Sequence, residues 1–191
     1  MPLWNLVLSG YPGSGKTVLA RRLVSENDSF VRISVDDLRS MFFGPSEPLR
    51  DDEFVYNCIA SLRDMALRGG RSVLVDSTAP MNNTRQLLLN TRVQGVTSLV
   101  ILLVVEKTEL EARNRERGIG GAVEAWDKTW EKPQRNMPVM MFRNNSITEF
   151  ETSFYVLTGL LRSRVHPYKR RFTTHFFPRI QPLHDRVSPR S

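Results

Sequence analysis

Residues 9–17 read SGYPGSGKT, with LWNLVL (3–8) directly before and VLARRLV (18–24) directly after. Three glycines and a proline fall within positions 10–15. That composition weakens a helix and a strand alike, so the backbone there must turn tightly or come close to another object. Gly10, Gly15, Lys16 and Thr17 fit the spacing G-x-x-x-x-G-K-[ST], and the apolar run before and helical pattern after are the frame this motif needs. In such a loop the backbone N–H groups of Gly13, Ser14, Gly15, Lys16 and Thr17 turn inward around phosphate oxygens, and the helix N-terminus adds partial positive charge. Lys16 is then placed for the β- and γ-phosphates, and the Thr17 hydroxyl for Mg²⁺. The loop predicts ATP binding. It does not choose the chemistry.

Outward from the loop, short apolar runs alternate with helical patterns. LWNLVLS (3–9), FVRISV (30–35), SVLVDS (72–77) and SLVILLVV (98–105) read as strands. Helices are predicted over about 17–26, 51–68, 82–94, 107–117, 122–132 and 147–162. Phe54, Ile59, Leu62, Met65 and Ala66 recur at near-helical spacing in the second of these, and Ile147, Phe150, Phe154, Leu157 and Leu161 in the last. Strands apolar throughout and separated by helices imply an α/β fold with a central parallel sheet flanked by helices. No internal repeat or low-complexity stretch interrupts it.

The chain has 191 residues, 40% hydrophobic and 25% charged, enough for one globular domain over 1–162 and a tail over 163–191. The single cysteine, Cys58, excludes an internal disulfide framework. The longest apolar run, LVILLVV (99–105), is too short to cross a bilayer, and no basic region precedes the apolar start, so a cytoplasmic protein with no membrane association is expected. Net charge is +7, and residues 162–191 hold eight Arg or Lys against one acid, Asp185. The excess therefore lies wholly in that end, which suits a polyanion such as nucleic acid or is simply a solvated terminus. His166, His175 and His184 also fall there, at a spacing that matches no metal site. A homo-oligomer is compatible with all of this.

The acceptor side of the chemistry is read from SVDDLRSMFFG (34–44), at the carboxyl end of the second strand, where α/β sheets place ligands. Asp36 is the candidate base for an attacking hydroxyl. Arg39 shares its helical face and could bind an acceptor that carries its own phosphate. A helix start with a local Asp36–Arg39 ion pair fits the same residues.

GYPGSGKT, ISVDDLRSMFFG, VLVDSTAPMNNTR and LEARNRERGIGGAVEAWDK together resemble, in order and spacing, the polynucleotide 5′-hydroxyl kinases of the bacteriophage type. The resemblance covers about residues 3–132. It implies a P-loop kinase fold with a helical lid, Mg²⁺ and ATP as cofactors, and 5′-OH ends of DNA or RNA as the partner that receives the γ-phosphate. By that resemblance Asp36 is the general base, Arg39 grips the phosphate 3′ of the acceptor nucleoside, and Arg117 is the lid arginine at the γ-phosphate with Arg113 one turn earlier. A solvated helix face paired with Glu109 or Glu116 is the other reading of these two arginines. Asp76 would hold Mg²⁺ through water or orient the acceptor, with Thr78 and Arg85 lining the same cleft. Ala79 stands where such enzymes usually carry Asn. Trp126 and Trp130, four apart, suit packing or stacking on a base. Two rival readings share the ATP side: a kinase of a small hydroxylated molecule (nucleoside, sugar, antibiotic or aminoacyl-tRNA), and a nucleotide-dependent RNA-binding ATPase.

Overall fold

The computed structural model describes residues 2–44 and 52–163. Residues 45–51 and the basic tail from 164 onward, with its histidines, lie outside those residues. Five strands form one sheet in the order β2-β3-β1-β4-β5, every neighbouring pair parallel. They are β1 (Leu3–Ser9), β2 (Phe30–Ser34), β3 (Ser72–Asp76), β4 (Val96–Val104) and β5 (Val139–Arg143). The helices are α1 (Lys16–Ser25), α2 (Val35–Phe43), α3 (Asp52–Arg68), α4 (Asn82–Leu89), α5 (Lys107–Glu116), α6 (Ala122–Asp127) and α7 (Ile147–Arg162). The α/β reading therefore stands, with β5 added to the four strands expected.

Side chains alternate across β1, so one strand feeds two cores. Leu6 and Leu8 pack with Leu19 and Leu23 of α1 and Phe154 and Leu157 of α7. Val7 packs on the other face with Val55, Ile59 and Leu67 of α3 and Leu88 of α4. Burying a side chain of this size contributes roughly 1.5–3 kcal/mol. Among the described residues no helix is long and apolar enough to cross a membrane.

Several expectations are corrected. The stripe of α3 that faces the sheet runs through Val55, Ile59, Arg63 and Leu67, whereas Phe54, Leu62 and Met65 are exposed. Ile147, at the first position of α7, is exposed as well. Helix α4 ends at Leu89 rather than near 94, because Asn90 turns extended and the last carbonyls find other donors. Arg63 donates to the carbonyls of Leu87, Leu88 and Asn90, and Asn5 to those of Leu88 and Leu89. Helix α6 ends at Asp127, which frees Trp130 to stack on Tyr11 at 4.5 Å between ring centres.

Candidate active site

Four of the five strands deliver a polar group to their carboxyl ends, on one edge of the sheet. The P-loop follows Ser9 of β1, Asp36 follows Ser34 of β2, Asp76 closes β3, and Asn144 follows Arg143 of β5. Ser34 and Asp76 are direct register partners, so the second and third of these stand side by side.

The P-loop is held from outside by amides. Asn114 of α5 donates to the Pro12 carbonyl at 3.0 Å, and Asn144 to the Ser14 carbonyl at 2.8 Å. Gly13 and Gly15 both lie at positive φ, 81° and 92°. A Cβ at Gly13 would press on Asn114, and one at Gly15 would overlap the Asn144 amide. The motif needs glycine here for backbone angle and for room together. The Ser14 hydroxyl is buried with no partner among the described residues, and the N–H ends of α1 open beside it. That cradle fits a phosphate.

Lys16 Nζ donates to the carbonyls of Gly10 (2.9 Å) and Tyr11 (2.8 Å), folded back over the loop. Burial pushes its ammonium from the ordinary 10.5 down to about 8; the charges of Asp76 and Asp36 oppose the shift, and that of Arg117 adds to it. One lysine thus lies within electrostatic reach of two carboxylates and an arginine drawn from α2, β3 and the end of α5. Asp36 projects into solvent, its side chain 87% exposed, and accepts from Arg39 Nη1 at 2.9 Å. Asp76 is buried and accepts from Arg32 at Nε and Nη2, 3.0 and 2.7 Å, with both bonds on Oδ2. Thr17 is exposed at the start of α1, next to Lys16, and Thr78 lends its carbonyl to Gly10 N–H at 3.2 Å.

Two arginines serve as braces. Arg113 donates to the carbonyls of Gly13 (3.3 Å) and Asn144 (2.8 Å) and pairs with Glu109 at 2.7 Å, while Arg117 is exposed. Arg85, expected to line the acceptor cleft, is instead fully buried. Four of its five N–H groups donate to Ser9, Asn82, Pro80 and Glu131, and its guanidinium lies 5.0 Å from the Trp130 ring. It fixes the strand-end loop from a fully buried position, out of reach of a substrate. Trp130, between Tyr11 and Arg85, is a packing residue. Tyr11 also donates to Asp127 at 2.8 Å, which ties α6 to the P-loop, and burial followed by that carboxylate raises its phenol.

Residues 6–139 match the AAA domain family. The chain belongs to that family. No curated protein matches it in sequence. Among solved structures, this AAA domain chain is similar to a sugar kinase from Janibacter sp. HTCC2649, with 18% identity over 82% of this chain and 95% of that one and a TM-score of 0.64. It is similar to the APS kinase CysC of Mycobacterium tuberculosis, solved with AMPPNP and APS, at 19% identity over 85% and 100% of the two chains and a TM-score of 0.64. It is also similar to a chain of the Pnkp1/Rnl/Hen1 RNA repair complex, at 22% identity over 81% of this chain and 46% of that one, with a TM-score of 0.57. These likenesses establish the P-loop kinase fold. They span small-substrate kinases and an RNA repair assembly, a wider set than the motif resemblance alone.

Sequence reading missed the residues that support the motif residues. Asn114 sits inside the quoted RNRERG stretch, and Asn144 follows a strand that the apolar pattern did not announce. Arg32, which holds Asp76, and Asp52, which holds Arg39, carried no local signal; only their distance in the fold makes them partners.

Proposed function

We propose that the protein is an ATP-dependent phosphotransferase whose acceptor is the 5′-hydroxyl end of DNA or RNA. The reading is carried by one placement: Asp36 lies in the first turn of α2 at the carboxyl end of β2, next to the Asp76 end of β3, with its carboxylate exposed and Arg39 bonded beside it, and its charge bears on the Lys16 ammonium. A base on the acceptor side and a cation on the phosphate side are the two halves a transfer needs.

The chain's own groups divide the work. Loop N–H groups bind the phosphates, and Lys16 exchanges its two carbonyl partners for phosphate oxygens. Asp36 takes the proton of the attacking hydroxyl at its carboxylate. Arg117, exposed at the end of α5, meets the charge that spreads over the equatorial oxygens during transfer. Arg39 holds the phosphate on the 3′ side of the acceptor, which orients its hydroxyl toward the cradle. Among the described residues no cluster of three His, Cys, Asp or Glu could hold a metal alone. Magnesium would therefore be held by the Thr17 hydroxyl and nucleotide oxygens, with the free Oδ1 of Asp76 reaching it through water. When bound, it neutralises phosphate charge.

The test is incubation with γ-labelled ATP and a panel of 5′-OH DNA, 5′-OH RNA, free nucleoside and simple sugars. Label on the polynucleotides is the expected result. Label confined to nucleoside or sugar moves the acceptor to a small alcohol, and ATP hydrolysis with no labelled acceptor replaces the kinase reading with an ATPase.

A further inference from the structure

Arg39 is shared between two carboxylates of unequal character. Its Nη1 donates to Asp36 Oδ1 at 2.9 Å and its Nη2 to Asp52 Oδ1 at 2.5 Å. Asp36 lies one turn away on the same helix, so that pair moves with α2 and fixes little. Asp52 opens α3, thirteen residues on, so its bond ties α2 to α3. The Asp36 side chain is 87% exposed and that of Asp52 42%, while Arg39 itself is only 11% exposed. A charge pair between less solvated groups is screened less, which makes the Asp52 contact the stronger one. Burial works against the Arg39 charge, but the Asp52 hydrogen bond and charge, followed by the Asp36 charge, outweigh it and raise the guanidinium above its ordinary range.

The guanidinium is also incompletely used, because its Nε–H is buried and, among the described residues, donates to no acceptor. Tyr56, one turn beyond Asp52, shares this charge neighbourhood: burial raises its phenol, and the charges of Asp52 and Asp36 act in the same direction. Its hydroxyl lies 3.3 Å from Ser77 Oγ at the end of β3.

We propose that Asp52 is a positioning residue of the acceptor site, holding Arg39 across from α3 so that its guanidinium meets the acceptor's phosphate. The inference rests on the polynucleotide reading above. An incoming phosphate takes the place of the weaker, solvated partner, Asp36, which is thereby released to the hydroxyl, while the Asp52 bond persists. Asp52 thus sets discrimination between acceptors with and without a phosphate, whereas Asp36 sets the transfer step.

The experiment compares the full chain with Asp52→Asn, Arg39→Ala and the double variant, using a nucleoside 3′-phosphate and the same nucleoside without phosphate, both with a free 5′-hydroxyl. Losing a charge-assisted bond of this kind corresponds to about tenfold or more in affinity. Asp52→Asn is expected to raise KM for the phosphorylated acceptor by about that factor, with a smaller change in kcat, and to reduce the preference over the plain nucleoside by a similar amount. In the Arg39→Ala background the same change is expected to add nothing. A loss equal for both acceptors, a loss mainly in kcat, or additive losses would overturn the assignment. Should circular dichroism show Asp52→Asn unfolded, Asp52→Glu carries the test: a raised KM confined to the phosphorylated acceptor supports the role, and an unchanged KM overturns it. If the unaltered chain labels the plain nucleoside in preference to the phosphorylated one, the polynucleotide reading itself fails and this inference with it.

Discussion

The two halves of the proposed site, for nucleotide and for acceptor, are built differently. The nucleotide half is fixed through its backbone: the amides of Asn114 and Asn144 and the guanidinium of Arg113 donate to consecutive P-loop carbonyls from Pro12 to Ser14. The acceptor half is held by two ion-pair chains, Asp36–Arg39–Asp52 and Asp37–Arg32–Asp76, each with one exposed carboxylate, Asp36 and Asp37. Amide braces do not exchange when a charged ligand arrives, whereas exposed ion pairs do, at little energetic cost. The contrast separates a preorganised phosphate cradle from a half whose partners substrate can replace.

Arg85 gives the sharpest test of the braced half. Replacing it with Leu strands four acceptors around a fully buried position, so stability should drop by about 3 kcal/mol or more in a denaturant titration. A variant that stays stable but binds acceptor poorly would return Arg85 to the substrate cleft. Asn144→Leu should follow, with about 2 kcal/mol lost and a nucleotide affinity weakened along with it, read by calorimetry. If affinity held while stability fell, the brace would be structural only.

Lys16 links the halves and gives a pH signature. Its lowered value means the cost of burying the charged ammonium is carried in full below pH 8 and relieved between 8 and the ordinary 10.5, so the empty protein gains stability across that interval. Phosphate binding needs the charged form, so nucleotide affinity should fall as pH rises above 8, approaching tenfold per pH unit. Lys16→Arg should flatten that slope. A smaller effect concerns Ala79, a fully buried non-glycine residue at φ 39°. Ala79→Gly relieves that strain and should raise the melting midpoint by the equivalent of less than about 1 kcal/mol, while leaving the contrast intact.

What was legible follows from where the information lies. The P-loop and the first four strands declare themselves locally, through motif spacing and continuous apolar runs. Strand β5, VMMFR, is short and directly follows Pro138, so no pattern marked it. The buried stripe of α3 was shifted by one position because its third member is Arg63, a charged side chain that reaches back to cap α4; hydrophobic periodicity does not see such a residue. Asp36 and Arg39 were visible as an i,i+3 pair, and the structure keeps that pair. Asp52 was not, because the contact that gives it meaning is made by folding α3 against α2.

The central claim is that the Asp36 carboxylate is the base facing the Lys16 cradle. The most direct measurement is single-turnover transfer from bound γ-labelled ATP to a 5′-OH oligonucleotide in Asp36→Asn, with nucleotide affinity measured on the same sample. The account predicts affinity within about twofold, unchanged stability at so exposed a position, and transfer slowed by about a hundredfold or more. Transfer at the rate of the unaltered chain would contradict it.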